Sequence, residues 1–373
     1  VAAEPFEVSI TDAEIADLRE RLRRTRWPEP EPVDDWSQGL PLAYAQELCR
    51  SWAEDYDFGF AERVNAFPQY RDTVDGLGIH FLHVRSPEPD AFPLVITHGW
   101  PGSVLEFLEV LGPLTDPRAH GGDPADAFHV VAPSLPGYGW SDKPSETGWG
   151  VERTARAWDT LMVSLGYERY GAQGGDWGSA VSGALGEVAP ERVAAVHLNM
   201  AAAAQGTFDD PTPEELANLK AAQEFGRTGR GYSGQQSTRP QTLGYGLTDS
   251  PAGQAAWIAE KFWAWTDNNG HPEDALSRQK ILDAISVYWF TASATSSARL
   301  YWESFGSFRE KVTAPSGLSI YPREITRPSR REAEQRFTDL RWFEEMPHGG
   351  HFAALEQPES LVEQVRGFFR LFR

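Results

Sequence analysis

The chain has 373 residues, enough for one large α/β domain with an inserted layer or for two modest domains. Its 34 Lys and Arg against 54 Asp and Glu give a formal charge of −20, so the average surface repels nucleic acid and anionic lipid. A single cysteine, Cys49, excludes an intrachain disulfide or cysteine-based metal cluster and fits a reducing, cytoplasmic setting, and neither a bilayer-length apolar run nor a signal pattern in Val1-Ala2-Ala3-Glu4-Pro5 points to a membrane.

In chain order, Ser9-Ile10-Thr11-Asp12-Ala13-Glu14 starts a helix over about 12–25, with Thr11 as its cap and Ile15, Leu18 and Leu22 at helical spacing. The prolines of Trp27-Pro28-Glu29-Pro30-Glu31-Pro32 impose an extended wrap. An amphipathic stretch over about 40–56 follows. Residues 1–65 therefore read as an arm whose apolar face is too small to fold alone, which leaves packing within its own chain or across a homodimer open. From Gln69 the pattern alternates, with Asp75-Gly76-Leu77-Gly78 as the turn of a hairpin.

Strand and helix patterns then take turns: strands at 93–97, 129–133, 169–174 and 193–200, with helices after 104 and over 151–165 and 177–188. This repetition predicts a mostly parallel sheet flanked by helices over 66–204. The turn-rich aromatic loop Ser134-Leu135-Pro136-Gly137-Tyr138-Gly139-Trp140-Ser141 falls at a strand's carboxyl end, where open α/β sheets bind ligands. Residues 205–305 carry helical patterns at 212–228, 251–265 and 274–290, many aromatics and no βα unit, and so form a helical lid. The sheet resumes over 306–373 with strands at 317–321 and 340–343 and a final helix over 359–372.

The chemistry concentrates in Gly174-Gly175-Asp176-Trp177-Gly178-Ser179. Its form, small-x-nucleophile-x-small, is that of the sharp strand-to-helix turn of an α/β-hydrolase, with Asp176 where serine is usual. Asp is ionised near neutrality, so it attacks carbon directly, which suits a strained ring or a leaving group on saturated carbon. Taken alone, the string also fits a glycine-rich turn with an aspartate at a helix N-cap. Glu324, in Tyr321-Pro322-Arg323-Glu324, and His351, in a glycine-flanked turn, complete the chain order nucleophile, acid, histidine. His98 reads as a turn residue and not a metal ligand, and His348 as a loop residue.

Together with His98-Gly99-Trp100-Pro101-Gly102-Ser103, Ser237-Thr238-Arg239-Pro240, Thr248-Asp249-Ser250-Pro251, Ser296-Ser297-Ala298-Arg299-Leu300-Tyr301 and Gly349-Gly350-His351-Phe352, these strings resemble the microsomal-type epoxide hydrolases nearly end to end. The resemblance implies Asp176 as nucleophile, Glu324 as charge-relay acid, His351 as base and Tyr232 and Tyr301 as lid phenols, with no cofactor and no metal. Vertebrate members carry an N-terminal membrane anchor, which is not seen here, so a soluble bacterial-type relative acting on an apolar epoxide and water is expected. Phenols suit the task, because the ring oxygen leaves as a strongly basic alkoxide that needs hydrogen-bond donors. The backbone N–H groups of Trp100 and Trp177 are the expected oxyanion donors. Two alternatives remain at this stage: a haloalkane or haloacid dehalogenase using the same aspartate, and a hydrolase fold kept as a binding protein.

Overall fold

The computed structural model describes residues 3–204, 206, 208–309 and 311–373; position 205, the expected start of the lid, lies outside them. The amino-terminal arm holds α1 (Asp12–Arg23), α2 (Leu42–Glu54) and α3 (Phe60–Asn65). Thr11 caps α1 through the Glu14 N–H while the Glu14 carboxylate accepts from Thr11, as the sequence predicts.

The described residues form one nine-stranded sheet of β1 (Glu4–Pro5), β2 (Gln69–Val74), β3 (Leu77–Val84), β4 (Phe92–Thr97), β5 (Phe128–Pro133), β6 (Tyr170–Gly174), β7 (Val193–Leu198), β8 (Ser316–Ile320) and β9 (Leu340–Glu345), in the order β1-β2-β3-β5-β4-β6-β7-β8-β9. Every pairing from β5 to β9 is parallel, and the first three strands run antiparallel. The hairpin turn is tighter than expected: Asp75 and Gly76 alone make it, with φ of 51° and 77°, while Leu77 and Gly78 already pair in β3. Two left-handed residues match the twist of the flanking strands. Strands β4 and β6 lie in mid-sheet and are almost wholly buried, which explains their unbroken small and apolar runs.

Helix α4 (Leu108–Thr115) packs on the closing helix Pro358–Phe369, and α5 (Val151–Ser164) on α6 (Trp177–Val188), giving the sheet its helical layers. Between β7 and β8 lie α7 (Pro213–Glu224), α8 (Gly231–Thr238), α9 (Pro240–Asp249), α10 (Pro251–Trp265), α11 (Arg278–Phe290) and α12 (Ala294–Ser304). The helix expected over 212–228 stops at Glu224 and passes into a π-turn at Phe225–Gly229. The one expected from 274 begins at Arg278, because Pro272–Asp274 is a separate 3₁₀ turn and the Ser277 hydroxyl caps the new start.

The arm is clasped to this insert. Trp52 Nε1 donates to Ser286 Oγ at 2.9 Å, while Tyr56 and Arg63 both donate to Asp283, at 2.7 and 2.6 Å. Trp36 stacks on Trp263 at 4.9 Å. Among the described residues no helix is long and apolar enough to cross a membrane.

Candidate active site

Asp176 occupies the turn between β6 and α6 with φ 49° and ψ −128°. A left-handed φ at a non-glycine residue costs about 1–3 kcal/mol, so the surroundings must enforce it. They do so by close approach. A Cβ on Gly178 would stand 1.8 Å from the Thr97 carbonyl oxygen, and one on Gly174 would stand 2.2 Å from the Gly178 carbonyl oxygen. Only glycine lets β4, β6 and α6 meet this tightly.

The buried Asp176 carboxylate accepts the Trp100 N–H at 2.7 Å through Oδ1, and the Trp177 N–H also faces it. Burial raises its pKa above the ordinary carboxylate range, against the pull of His351 and the two N–H groups. Its Oδ2 stands 3.5 Å from His351 Nε2, and His351 Nδ1 meets Glu324 Oε1 at 2.8 Å. Burial alone would depress the imidazole, but Glu324 and Asp176 outweigh it and hold His351 up at about 9. Their pull favours the protonated form of the imidazole. Glu324 Oε1 also accepts the Ile325 N–H, and its buried Oε2 has no partner. His98 braces the first turn: Leu135 N–H donates to Nε2 at 3.2 Å, which leaves Nδ1 to donate to the Gly99 carbonyl at 3.0 Å.

Across from Asp176 stand two phenols, on helices absent from the sequence-based reading. Tyr232, on α8, stacks on Trp100 at 5.2 Å, and Tyr301, on α12, packs edge-on against Trp177 at 4.8 Å. The two rings are 5.9 Å apart. Burial and the nearby Asp176 push both hydroxyls well above the usual tyrosine range, so both are neutral donors near pH 7; for Tyr301, Tyr232 adds to that push. Tyr232 and the Trp177 indole lie beside the buried Tyr301 hydroxyl. The loop 134–141 proves to be the seat of α12: Tyr138 donates to the Ser297 carbonyl at 3.0 Å and Ser296 to the Gly137 carbonyl.

Behind the carboxylate is a cavity of about 20 Å³ bordered by Trp100, Glu106, Asp176, Asn199 and His351. That is room for about one water molecule. Sequence reasoning missed Glu106 and Asn199. The signal for Glu106 was its isolation as the one acid in Val104-Leu105-Glu106-Phe107-Leu108. Burial pushes its carboxyl up to about 8. Trp265 was missed as well: its ring packs on His351 at 4.9 Å and on Tyr232 at 5.1 Å, and its carbonyl accepts the His351 N–H at 2.9 Å.

A mostly parallel sheet with such an elbow between β6 and α6 makes the molecule an α/β-hydrolase, and the family described as alpha/beta hydrolase fold matches residues 93–248. Its nucleophile position holds a carboxylate, and the family described as Epoxide hydrolase N terminus matches residues 3–107, arm included. The chain belongs to the epoxide hydrolases. It is 34% identical to Epoxide hydrolase 1 of Oryctolagus cuniculus over 98% of this chain and 88% of that one, and 51% identical to a Stigmatella aurantiaca protein over 99% and 85%. The crystal structure of juvenile hormone epoxide hydrolase from Bombyx mori superposes with a TM-score of 0.91 at 29% identity, covering 100% of this chain and 95% of that one. The Aspergillus niger epoxide hydrolase gives 0.90 at 32% identity, over 100% and 97%. The chain is accordingly an enzyme, a hydrolase acting on the ether bond of an epoxide, and the dehalogenase and binding-protein alternatives fall away.

Proposed function

We propose that the chain opens an apolar epoxide by attack of Asp176 on a ring carbon and then hydrolyses the resulting ester to release a vicinal diol. The observation carrying this reading is the opposition of the strained Asp176 carboxyl group to two buried neutral phenols, Tyr232 and Tyr301. Attack forms one bond from Asp176 oxygen to carbon and breaks one ring C–O bond. The freed oxygen collects a proton at Tyr232 and Tyr301 as its charge develops.

Esterification removes the Asp176 charge that helped hold a proton on His351. The imidazole therefore surrenders its proton, which restores the phenols, and becomes a base oriented by Glu324. Water in the small cavity gives a proton to His351 while its oxygen adds to the Asp176 carboxyl carbon, the oxyanion facing the Trp100 and Trp177 N–H groups. Collapse breaks the bond from that carbon to the substrate-bearing oxygen, which leaves with the His351 proton, and the acid left on Asp176 returns its own proton to His351. The aromatic walls of Trp100, Trp177 and Trp265 favour an apolar substrate.

The test is His351→Gln. This variant should open the ring and fail to hydrolyse the ester, so intact mass spectrometry should find protein heavier by one substrate. Absence of that adduct, with an epoxide that the unaltered enzyme turns over, overturns the scheme.

A further inference from the structure

Lys261, on α10, is 6% exposed and lies outside the machinery described so far. Its Nζ sits 4.5 Å from the centre of the Tyr232 ring, 5.6 Å from that of Trp265 and 5.9 Å from that of Trp257. Its ion pair is with its neighbour Glu260, whose side chain is 25% exposed. The cage is itself fixed, since Trp257 Nε1 donates at 3.0 Å to Gln236, one helical turn beyond Tyr232 on α8. An ammonium this buried needs compensation, and aromatic faces supply it.

The electrostatics around Tyr232 give that position a use. Asp176, Glu324 and Glu260 all lie close enough to oppose negative charge on its oxygen. A phenol that gives up its hydrogen toward a departing alkoxide must carry such charge, and the Lys261 ammonium over the ring is placed to attract it.

We propose that Lys261 is a positioning residue that holds the Tyr232 ring in place and stabilises the charge arising on its oxygen as the epoxide opens. This rests on the reading of Tyr232 as a proton donor. Lys261 then matters to ring opening and not to ester hydrolysis, where Tyr232 bears no such charge.

The test is a cycle in the full-length enzyme with styrene oxide as probe. Ring opening is followed by rapid quench and intact mass, and ester decay is followed separately. Lys261→Met should slow ring opening roughly tenfold and leave ester decay unchanged, while Lys261→Arg should keep most of the rate. In a Tyr232→Phe background, Lys261→Met should have no further effect. An unaltered ring-opening rate, an equal slowing of both steps, or a full tenfold loss persisting in the Tyr232→Phe background would each overturn the proposal. Normal ring opening in Tyr232→Phe alone would refute the donor reading and this inference with it. Should Lys261→Met not fold, Lys261→Gln takes its place in the same cycle.

Discussion

The sheet side and the helical side of the active site are held by different means. On the sheet side, backbone meets backbone: Gly174 and Gly178 press on their neighbours, and the Asp176 carboxylate is met by N–H groups from two turns. On the helical side, rings pack on rings, and the Tyr301 hydroxyl is placed by the packing of its ring against Trp177 and Tyr232. The difference matches what each half must do. A nucleophile gains from being immobile before substrate arrives. A donor must be aimed at the oxygen that will develop charge, and a packed ring fixes where its hydroxyl points.

The sharpest way to break this contrast is Tyr301→Phe. Ring opening should slow by about 10²- to 10⁴-fold, the usual worth of a positioned acid, as read by single-turnover kinetics. Stability to urea should change by only about 1 kcal/mol, because the ring and its packing on Trp100, Trp177 and Tyr232 remain. A loss of stability as large as the loss of rate would mean that the hydroxyl is structural.

Next in size is Gly178→Ala, whose new methyl must displace the Thr97 carbonyl. A cost of about 3 kcal/mol in urea unfolding is expected, together with a severe loss of turnover. A stable, active variant would contradict the claim that the nucleophile turn is held by close approach.

Acid titration probes the sheet side more gently. Burial raises the Asp176 pKa, so the protonated, inactive form persists to a higher pH than for an ordinary aspartate. Single-turnover ring opening should therefore decline on acidification with an apparent pKa above about 3.9. A limb at or below that value would show that the carboxylate is better solvated than its surroundings imply.

The smallest effect is predicted on the helical side, at Gly234 of α8, where an added methyl meets open space. Gly234→Ala should stabilise the protein by roughly 0.5–1 kcal/mol and leave ester formation untouched, in contrast with Gly178→Ala. A destabilised Gly234→Ala would erase the distinction between the two sides.

The same contrast explains what the sequence could disclose. Asp176, Glu324 and His351 follow strands in a fixed chain order, and the glycines around Asp176 are demanded by sterics, so both stand out in a single sequence. The helices bearing Tyr232 and Tyr301 do not. Gly231 and Gly234 weaken the pattern of α8, and Thr295-Ser296-Ser297 in the first turn of α12 are poor helix formers that the seat on loop 134–141 holds in place. Lys261 and Trp265 were hidden for another reason. On an amphipathic helix they pass for an exposed charge and a core aromatic, and only folding places one over a phenol and the other against the base.

The bond from the His351 N–H to the Trp265 carbonyl fastens the proposed general base to the last turn of α10. A swing of the whole insert away from the sheet would tear that link and disturb the very residue that must remain aligned for ester hydrolysis. Displacement of individual helices other than α10 would admit epoxide and release diol with that link intact.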